Sequence, residues 1–201
     1  GDEIQLMDGK GTYYFAILTS LEKNRCSFSI ARTASEKKRD YAIHMAIAPT
    51  KNQDRLEWFV EKAIEFGVDQ VSFIKTFHSE RTTLKQERID RIAVSAMKQS
   101  GRASLPVFSV LTDFKTFVET KREDEQFIAY VDHENPDHLF KLATPKKSYT
   151  VMIGPEGDFS DDEIALAVKS GFRKVSLGDY RLRTETAALS ACQILHLVNV
   201  G

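Results

Sequence analysis

From Tyr41 onward the sequence alternates between short apolar runs and amphipathic stretches, and this alternation limits the fold more than any other feature of the chain. Residues 42–48 and 71–74 read as strands. Residues 127–131 and 149–153 are near-continuous apolar runs, as in strands buried on both faces. Between them, Leu56, Phe59, Val60, Ala63 and Ile64 recur at helical spacing and predict a helix over 52–66, ended by Gly67. Ile89, Ile92, Ala93, Ala96 and Met97 predict a second over 86–100, with Gly101 at its end. Pro106-Val107-Phe108 opens another strand, and Asp113 is placed to cap a helix carrying Phe114, Phe117 and Val118. Ser160-Asp161-Asp162-Glu163 is a capping box that opens a helix ending at Gly171. A last helix carries Ala187, Ala188, Ala191, Ile194, Leu195 and Val198. Strand–helix alternation predicts an α/β fold with a mostly parallel sheet.

The first 30 residues have a different character. Residues 12–18 are rich in β-formers, and residues 26–30 alternate with period two, so two or three strands are expected there. Residues 31–40 are polar and charged and read as a linker. A piece of this size is marginal alone, and the chain begins at Gly1 without Met, so further residues are expected upstream.

At 201 residues, 42% hydrophobic and 28% charged, the chain can bury one α/β core plus a smaller module. A net charge of -1 gives no global support for a nucleic-acid binder but leaves room for a local basic patch. Cys26 and Cys192 are far apart and lack CxxC spacing, which argues against a disulfide framework or zinc site and fits a reducing cytoplasm. No apolar run approaches the ~20 residues that span a bilayer.

Among chemical motifs, the dinucleotide-binding G-x-G-x-x-G, the P-loop and the G-x-S-x-G elbow are all missing. The five histidines have no metal-ligand spacing, and His44, mid-strand, reads as a core or surface residue. What remains is a pair of loops. Ile153-Gly154-Pro155-Glu156-Gly157-Asp158-Phe159 leaves one strand, and Leu177-Gly178 with Leu182-Arg183-Thr184-Glu185-Thr186-Ala187 follows about two dozen residues later. Both suit the carboxyl end of an open α/β sheet, where small ligands bind. Gly154 lets the chain leave the sheet without a Cβ clash, and Glu156 puts a carboxylate at the strand end. Arg181 and Arg183 precede a helix start, where cations oppose the macrodipole, so an anionic partner is expected. Glu185 in the first turn suits the dipole and could serve structure alone.

Taken together these segments resemble the signature of the SPOUT-class RNA methyltransferases, and within them the RsmE family, which methylates N3 of a uridine in small-subunit (16S) ribosomal RNA. Lys62-Ala63-Ile64-Glu65-Phe66-Gly67-Val68, His78-Ser79-Glu80-Arg81 and Gln99-Ser100-Gly101-Arg102 agree with it. The resemblance covers about residues 41–200 and, more weakly, 1–30. It implies an α/β domain over 41–201 with a C-terminal trefoil knot, preceded over 1–34 by part of a small PUA-like β-barrel that helps bind RNA. It implies S-adenosylmethionine as cofactor, a homodimer, and small-subunit RNA or the assembled subunit as partner, in the cytoplasm and with no metal or membrane. One position departs: where the family commonly has a second Gly after Gly157, this chain has Asp158.

Carried over by position, Ile153, Gly154, Pro155, Glu156 and Gly157 form one wall of the cofactor site. Leu177, Gly178, Leu182 and Thr184 form the other, largely through backbone contacts to adenine. Val131 and Asp132, with His133 and Glu134, make a third edge. Methyl transfer from a sulfonium is a positioning problem, but uridine N3 carries a proton at neutral pH. Arg183 is expected to stabilise charge developing on the uracil oxygens, and Glu185 is a candidate proton acceptor, although a helix N-terminus weakens it as a base. Phosphate contacts are expected from Arg81, Lys98 and Arg102, with Lys85 and Arg88 nearby. Two other readings stay open: a SPOUT enzyme acting on a 2′-hydroxyl or a tRNA base, and a non-catalytic RNA-binding assembly factor that keeps the fold.

Overall fold

The computed structural model describes residues 1–131 and 137–200. It contains two sheets. The first is antiparallel, in the order β1 (Glu3–Met7), β2 (Thr12–Glu22), β3 (Arg25–Ser35). Because β3 runs to Ser35, the polar run expected to be a linker is strand over its first half. Ala34 pairs with Tyr13 and Arg32 with Phe15, and the Arg32 guanidinium lies 3.3 Å from the Phe15 ring centroid. A strand at a sheet edge accepts charged side chains because they still reach water. This sheet is fastened to the rest of the chain through the turn at 101–105. Gly11 N donates to Ala103 O at 2.9 Å, Leu105 N to Gly9 O at 3.0 Å, and the Tyr13 hydroxyl to Gly101 O at 2.9 Å.

The second sheet has seven strands: β4 (Ala42–Ile47), β5 (Gln70–Lys75), β6 (Val107–Phe108), β7 (Thr112–Asp113), β8 (Glu125–Ala129), β9 (Ser148–Ile153) and β10 (Arg173–Val175). Their order is β10-β8-β9-β4-β5-β6, with β7 beside β5, and every pairing is parallel. The helices are α1 (Gln53–Glu65), α2 (Gln86–Ser100), α3 (Phe114–Glu119), α4 (Leu139–Leu142), α5 (Asp161–Lys169) and α6 (Thr184–Val198).

Both faces of this sheet are covered, which explains the near-continuous apolar strands. Ile43, Met45 and Ile47 of β4 point to one face, together with Leu56 and Phe59 of α1 and Ala188 and Leu195 of α6. Ala46 of β4 and Met152 of β9 point to the other, together with Phe114 and Phe117 of α3 and Ala167 of α5. Alternate residues of a strand face opposite ways, so a strand covered twice must be apolar throughout.

The helix caps follow the sequence closely. Asn52 accepts from Asp54 N at 2.8 Å, both halves of the Ser160–Glu163 capping box form, and Gly101 takes a left-handed C-cap. Asp113 stands at the N-cap of α3 but makes no side-chain cap bond. His44, mid-strand in β4, shares its ring nitrogens between the Ser72 hydroxyl at 2.8 Å and the Thr150 hydroxyl at 3.1 Å. Among the described residues no group of three or more His, Cys, Asp or Glu could hold a metal, and no helix is long and apolar enough to cross a membrane.

Candidate active site

Three neighbouring parallel strands, β10, β8 and β9, end side by side. The loops that leave them, at 129–131, 153–158 and 175–184, line a cleft of about 960 Å³, with Arg55 of α1 and Ala187 of α6 completing it. This is where an open α/β sheet binds a small ligand. It brings together the two loops singled out in the sequence, with Val131 between them. Asp132, His133 and Glu134 lie outside the described residues.

The first wall turns tightly at the end of β9. Gly154 is buried, and a Cβ there would lie 3.2 Å from Phe159 Cδ2 and 3.3 Å from the Asp158 carbonyl carbon. A Cβ on Gly157 would stand 3.0 Å from His78 Cβ. A side chain at either position would press its neighbours by a few tenths of an ångström. Asp158 explains how the chain departs from its resemblance. Its φ is 62°, a left-handed conformation that glycine adopts freely and that Asp tolerates when its short side chain bonds locally. Here the carboxylate accepts from Phe159 N at 2.8 Å and from Val131 N at 3.2 Å, tying this wall to the loop after β8. The Asp158 carbonyl accepts from His78 Nδ1 at 3.1 Å. The Glu156 carboxylate accepts from Lys51 N at 3.1 Å.

The second wall follows β10. Ser176 is held by backbone bonds to Asp137 O at 2.7 Å and from Leu139 N at 3.0 Å. Gly178 has φ 133°, open to glycine alone, and its N–H donates to the Ser176 hydroxyl at 3.1 Å. The wall ends at α6, where Arg183 is the N-cap residue with no side-chain cap bond and Thr184 is buried. Glu185 stands in the first turn of α6, where the sequence places it. Its carboxylate is buried, lies 3.8 Å from Arg55 Nε, and is not part of the cleft lining. That contact pairs the candidate proton acceptor with Arg55. Sequence reasoning missed Arg55. It stands in the first turn of α1, where a cation opposes the dipole, so the argument that singled out Arg183 could have found it.

The expected RNA-binding cations divide. Arg81 donates to Thr50 O at 2.9 Å and Lys51 O at 2.7 Å, stitching the loop after β4 to the loop after β5. Arg102 donates to Ile64 O and Val68 O, each at 3.1 Å, and burial lowers its pKa. Their donors serve backbone carbonyls at helix and loop ends, where they satisfy otherwise open acceptors. Both side chains therefore already serve backbone carbonyls in this structure. Arg88 is paired with Glu57 at 2.8 Å, whereas Lys98 is exposed.

A parallel sheet with a loop-walled cleft at its strand ends, and no phosphate-binding glycine motif, defines the class. The chain belongs to the RNA methyltransferase domain family, which matches residues 36–196. Among solved structures it is similar to a probable rRNA-methyltransferase from Porphyromonas gingivalis, 42% identical with a TM-score of 0.94 over 99% of this chain and 85% of that one. It is also similar to the ribosomal RNA small subunit methyltransferase E of Neisseria gonorrhoeae, solved bound to S-adenosyl methionine. That protein is 27% identical, with a TM-score of 0.90 over 98% of this chain and 84% of that one. The Aquifex aeolicus protein of the same name is 29% identical over 92% of this chain and 82% of its own length.

Proposed function

We propose that the chain is an S-adenosylmethionine-dependent methyltransferase that acts on N3 of a uridine in small-subunit (16S) ribosomal RNA. The observation that carries this reading is the cleft at the ends of β10, β8 and β9, in a chain that belongs to an RNA methyltransferase family and is similar to a methyltransferase E solved with that cofactor. The cleft suits such a cofactor. Its volume is that of a small-molecule site. Ile153, Leu177 and Leu182 offer apolar contact, and the turns at Gly154 and Gly178 expose backbone donors and acceptors for an adenine edge.

When bound, the cofactor supplies an electrophilic methyl group. That methyl group would pass from sulfur to N3, sulfur keeping the electron pair, and the N3 proton would leave to solvent water. The residues of this chain hold the reactants in line and favour the N3 anion. Arg183 lines the cleft at the start of α6 and is assigned to the charge developing on the uracil oxygens. Arg55, held by Glu185, adds a second cation to the same cleft and makes loss of the proton easier. Val131 is held at the third edge by Asp158, and Asp132 follows it.

The domain division belongs to the same proposal. Residues 41–201 carry the cleft, and the three-stranded sheet within 1–34 and its continuation to Ser35 suits part of a PUA-like barrel. A trefoil knot is supported by the path of the chain. β10 lies at the edge of the sheet, yet α6 packs at its centre against β4 and α1, so the 176–183 segment must carry the chain back across the strand ends. A homodimer acting on small-subunit RNA, or on the assembled subunit, completes the proposal.

The test is calorimetric titration with S-adenosylmethionine, followed by transfer of a labelled methyl group to small-subunit RNA. Saturable binding that is lost in Gly154→Val is expected, because a side chain there collides with Asp158 and Phe159. Overpacking of this kind costs about 1–3 kcal/mol, roughly fivefold to a hundredfold in affinity where the strain falls on the bound cleft. Failure of the folded wild-type chain to bind the cofactor would reject the methyltransferase reading in favour of a non-catalytic RNA-binding factor.

A further inference from the structure

Tyr180 is 87% exposed and Phe77 is 77% exposed, the two most exposed aromatic side chains among the described residues. Both sit on backbone that is fastened to the cleft. Tyr180 belongs to the second wall itself. Phe77 belongs to the turn that backs the first wall. Its N–H donates to Glu163 Oε1 at 2.8 Å, while its neighbour His78 packs against Gly157 and donates to the Asp158 carbonyl. Neither ring adds much to folding, because apolar surface left in water gives up the burial that stabilises a fold. Single exposed aromatics are ordinary on a protein surface; two of them beside the two walls of one cleft form a pattern.

The charges beside Tyr180 indicate what the rings meet. Arg181 and Arg183 are exposed, line the same cleft, and make no ion pair among the described residues. An exposed ring beside unpaired guanidinium groups has the chemistry of single-stranded RNA recognition, in which unstacked bases lie on aromatic faces while arginines meet phosphates. A uridine presenting N3 to a cofactor must leave its own stack, and the bases beside it need new surfaces. Arg81 and Arg102, the basic residues expected to hold RNA, are committed elsewhere.

We propose that Tyr180, flanked by Arg181 and backed on the other wall by Phe77, is a stacking platform for the nucleotides next to the target uridine, so that the RNA enters over the rim of the cleft. This rests on the methyltransferase reading. The experiment compares wild type with Tyr180→Ala, Tyr180→Phe and Phe77→Ala. It measures methyl transfer to small-subunit RNA, calorimetric cofactor binding and sedimentation. A direct binding arm uses a single-stranded oligonucleotide with 2-aminopurine beside a uridine, whose fluorescence falls on stacking.

Tyr180→Ala is expected to raise KM for RNA by roughly fivefold to a hundredfold, the range found when a base loses an aromatic partner. It should abolish the fluorescence change, with KM for RNA rising by more than any change in cofactor affinity. Tyr180→Phe keeps the ring and should behave as wild type, and Phe77→Ala should show a smaller rise in KM. Unchanged KM and fluorescence in Tyr180→Ala would overturn the proposal. So would a loss of activity accompanied by a change in sedimentation, which would make this rim a protein contact. If wild type binds no cofactor, the methyltransferase reading fails, and the fluorescence arm still decides whether Tyr180 stacks on RNA.

Discussion

Lowering the pH from about 7 to about 5 should destabilise this protein through His44 by about 2 kcal/mol. Burial, with a smaller contribution from the Arg122 charge, pushes the His44 pKa down from 6.5 to about 4. Its ring nitrogens are engaged by the Ser72 and Thr150 hydroxyls, and the edge of Phe117 packs beside it. The folded state therefore holds the neutral ring, and the unfolded chain takes up the proton first. Stability from this group is fully present above pH 6.5 and is lost as pH falls from there toward about 4. Near pH 5 the unfolded chain is almost fully protonated at this site and the folded chain almost not, and integrating the difference down from pH 7 gives a loss of about 2 kcal/mol. His196, whose pKa burial also lowers, adds a change of the same sign, so the contribution of His44 must be isolated by comparison. Urea unfolding of wild type and His44→Gln across this range does so, since an amide keeps a donor and an acceptor for the two hydroxyls but does not titrate. The free-energy difference between the two proteins should shift by about 2 kcal/mol between the two pH values. Parallel profiles would refute the argument.

Arg183→Ala should lower kcat by roughly a hundredfold, the size of effect seen when one charge-stabilising donor is removed, with cofactor affinity changing much less; near-normal turnover would remove it from the mechanism. Asp158→Gly should speed amide exchange at Val131 by roughly tenfold or more, because that N–H loses a charged acceptor worth about 1.5–3 kcal/mol, and unchanged protection would show that the tether is not needed. Arg102→Ala should lower stability by about 2 kcal/mol in urea titration by leaving two carbonyls open, whereas Lys98→Ala should leave stability unchanged; the reverse ranking would restore Arg102 as a surface RNA contact. Burial pushes the Cys192 thiol up to about 12, so a thiol reagent should modify Cys26 in the native protein and reach Cys192 only on unfolding; rapid reaction of both would contradict the packing of α6.

The elements readable in the sequence were those whose signal repeats. α1 and α2 each present several turns of one apolar face, and Asn52, Ser160 and Gly101 punctuate helices through bonds made within a few residues. β10, β7 and α4 are three, two and four residues long, too short for any period to show. Residues 31–35 were misread because their place in β3 depends on pairing with β2, a partner about 20 residues away. The two cleft loops stood out because Gly154 and Gly178 answer local steric needs. Arg55, Tyr180 and the tether from Asp158 to Val131 carry little local signal.

Local periodicity and turn chemistry by themselves determined that this chain makes a mostly parallel α/β sheet with tight loops at its strand ends around 153–159 and 177–183, because those signals come from neighbours along the chain. Only the tertiary structure decided which charges are free to act. Arg81, Arg102 and Arg183 look alike in sequence. Two have their donors taken by carbonyls brought close by the packing of α1 and the loop after β4, and the third faces an open cleft. A guanidinium's role depends on the acceptors within about 3 Å of it, and folding brings those from distant parts of the chain.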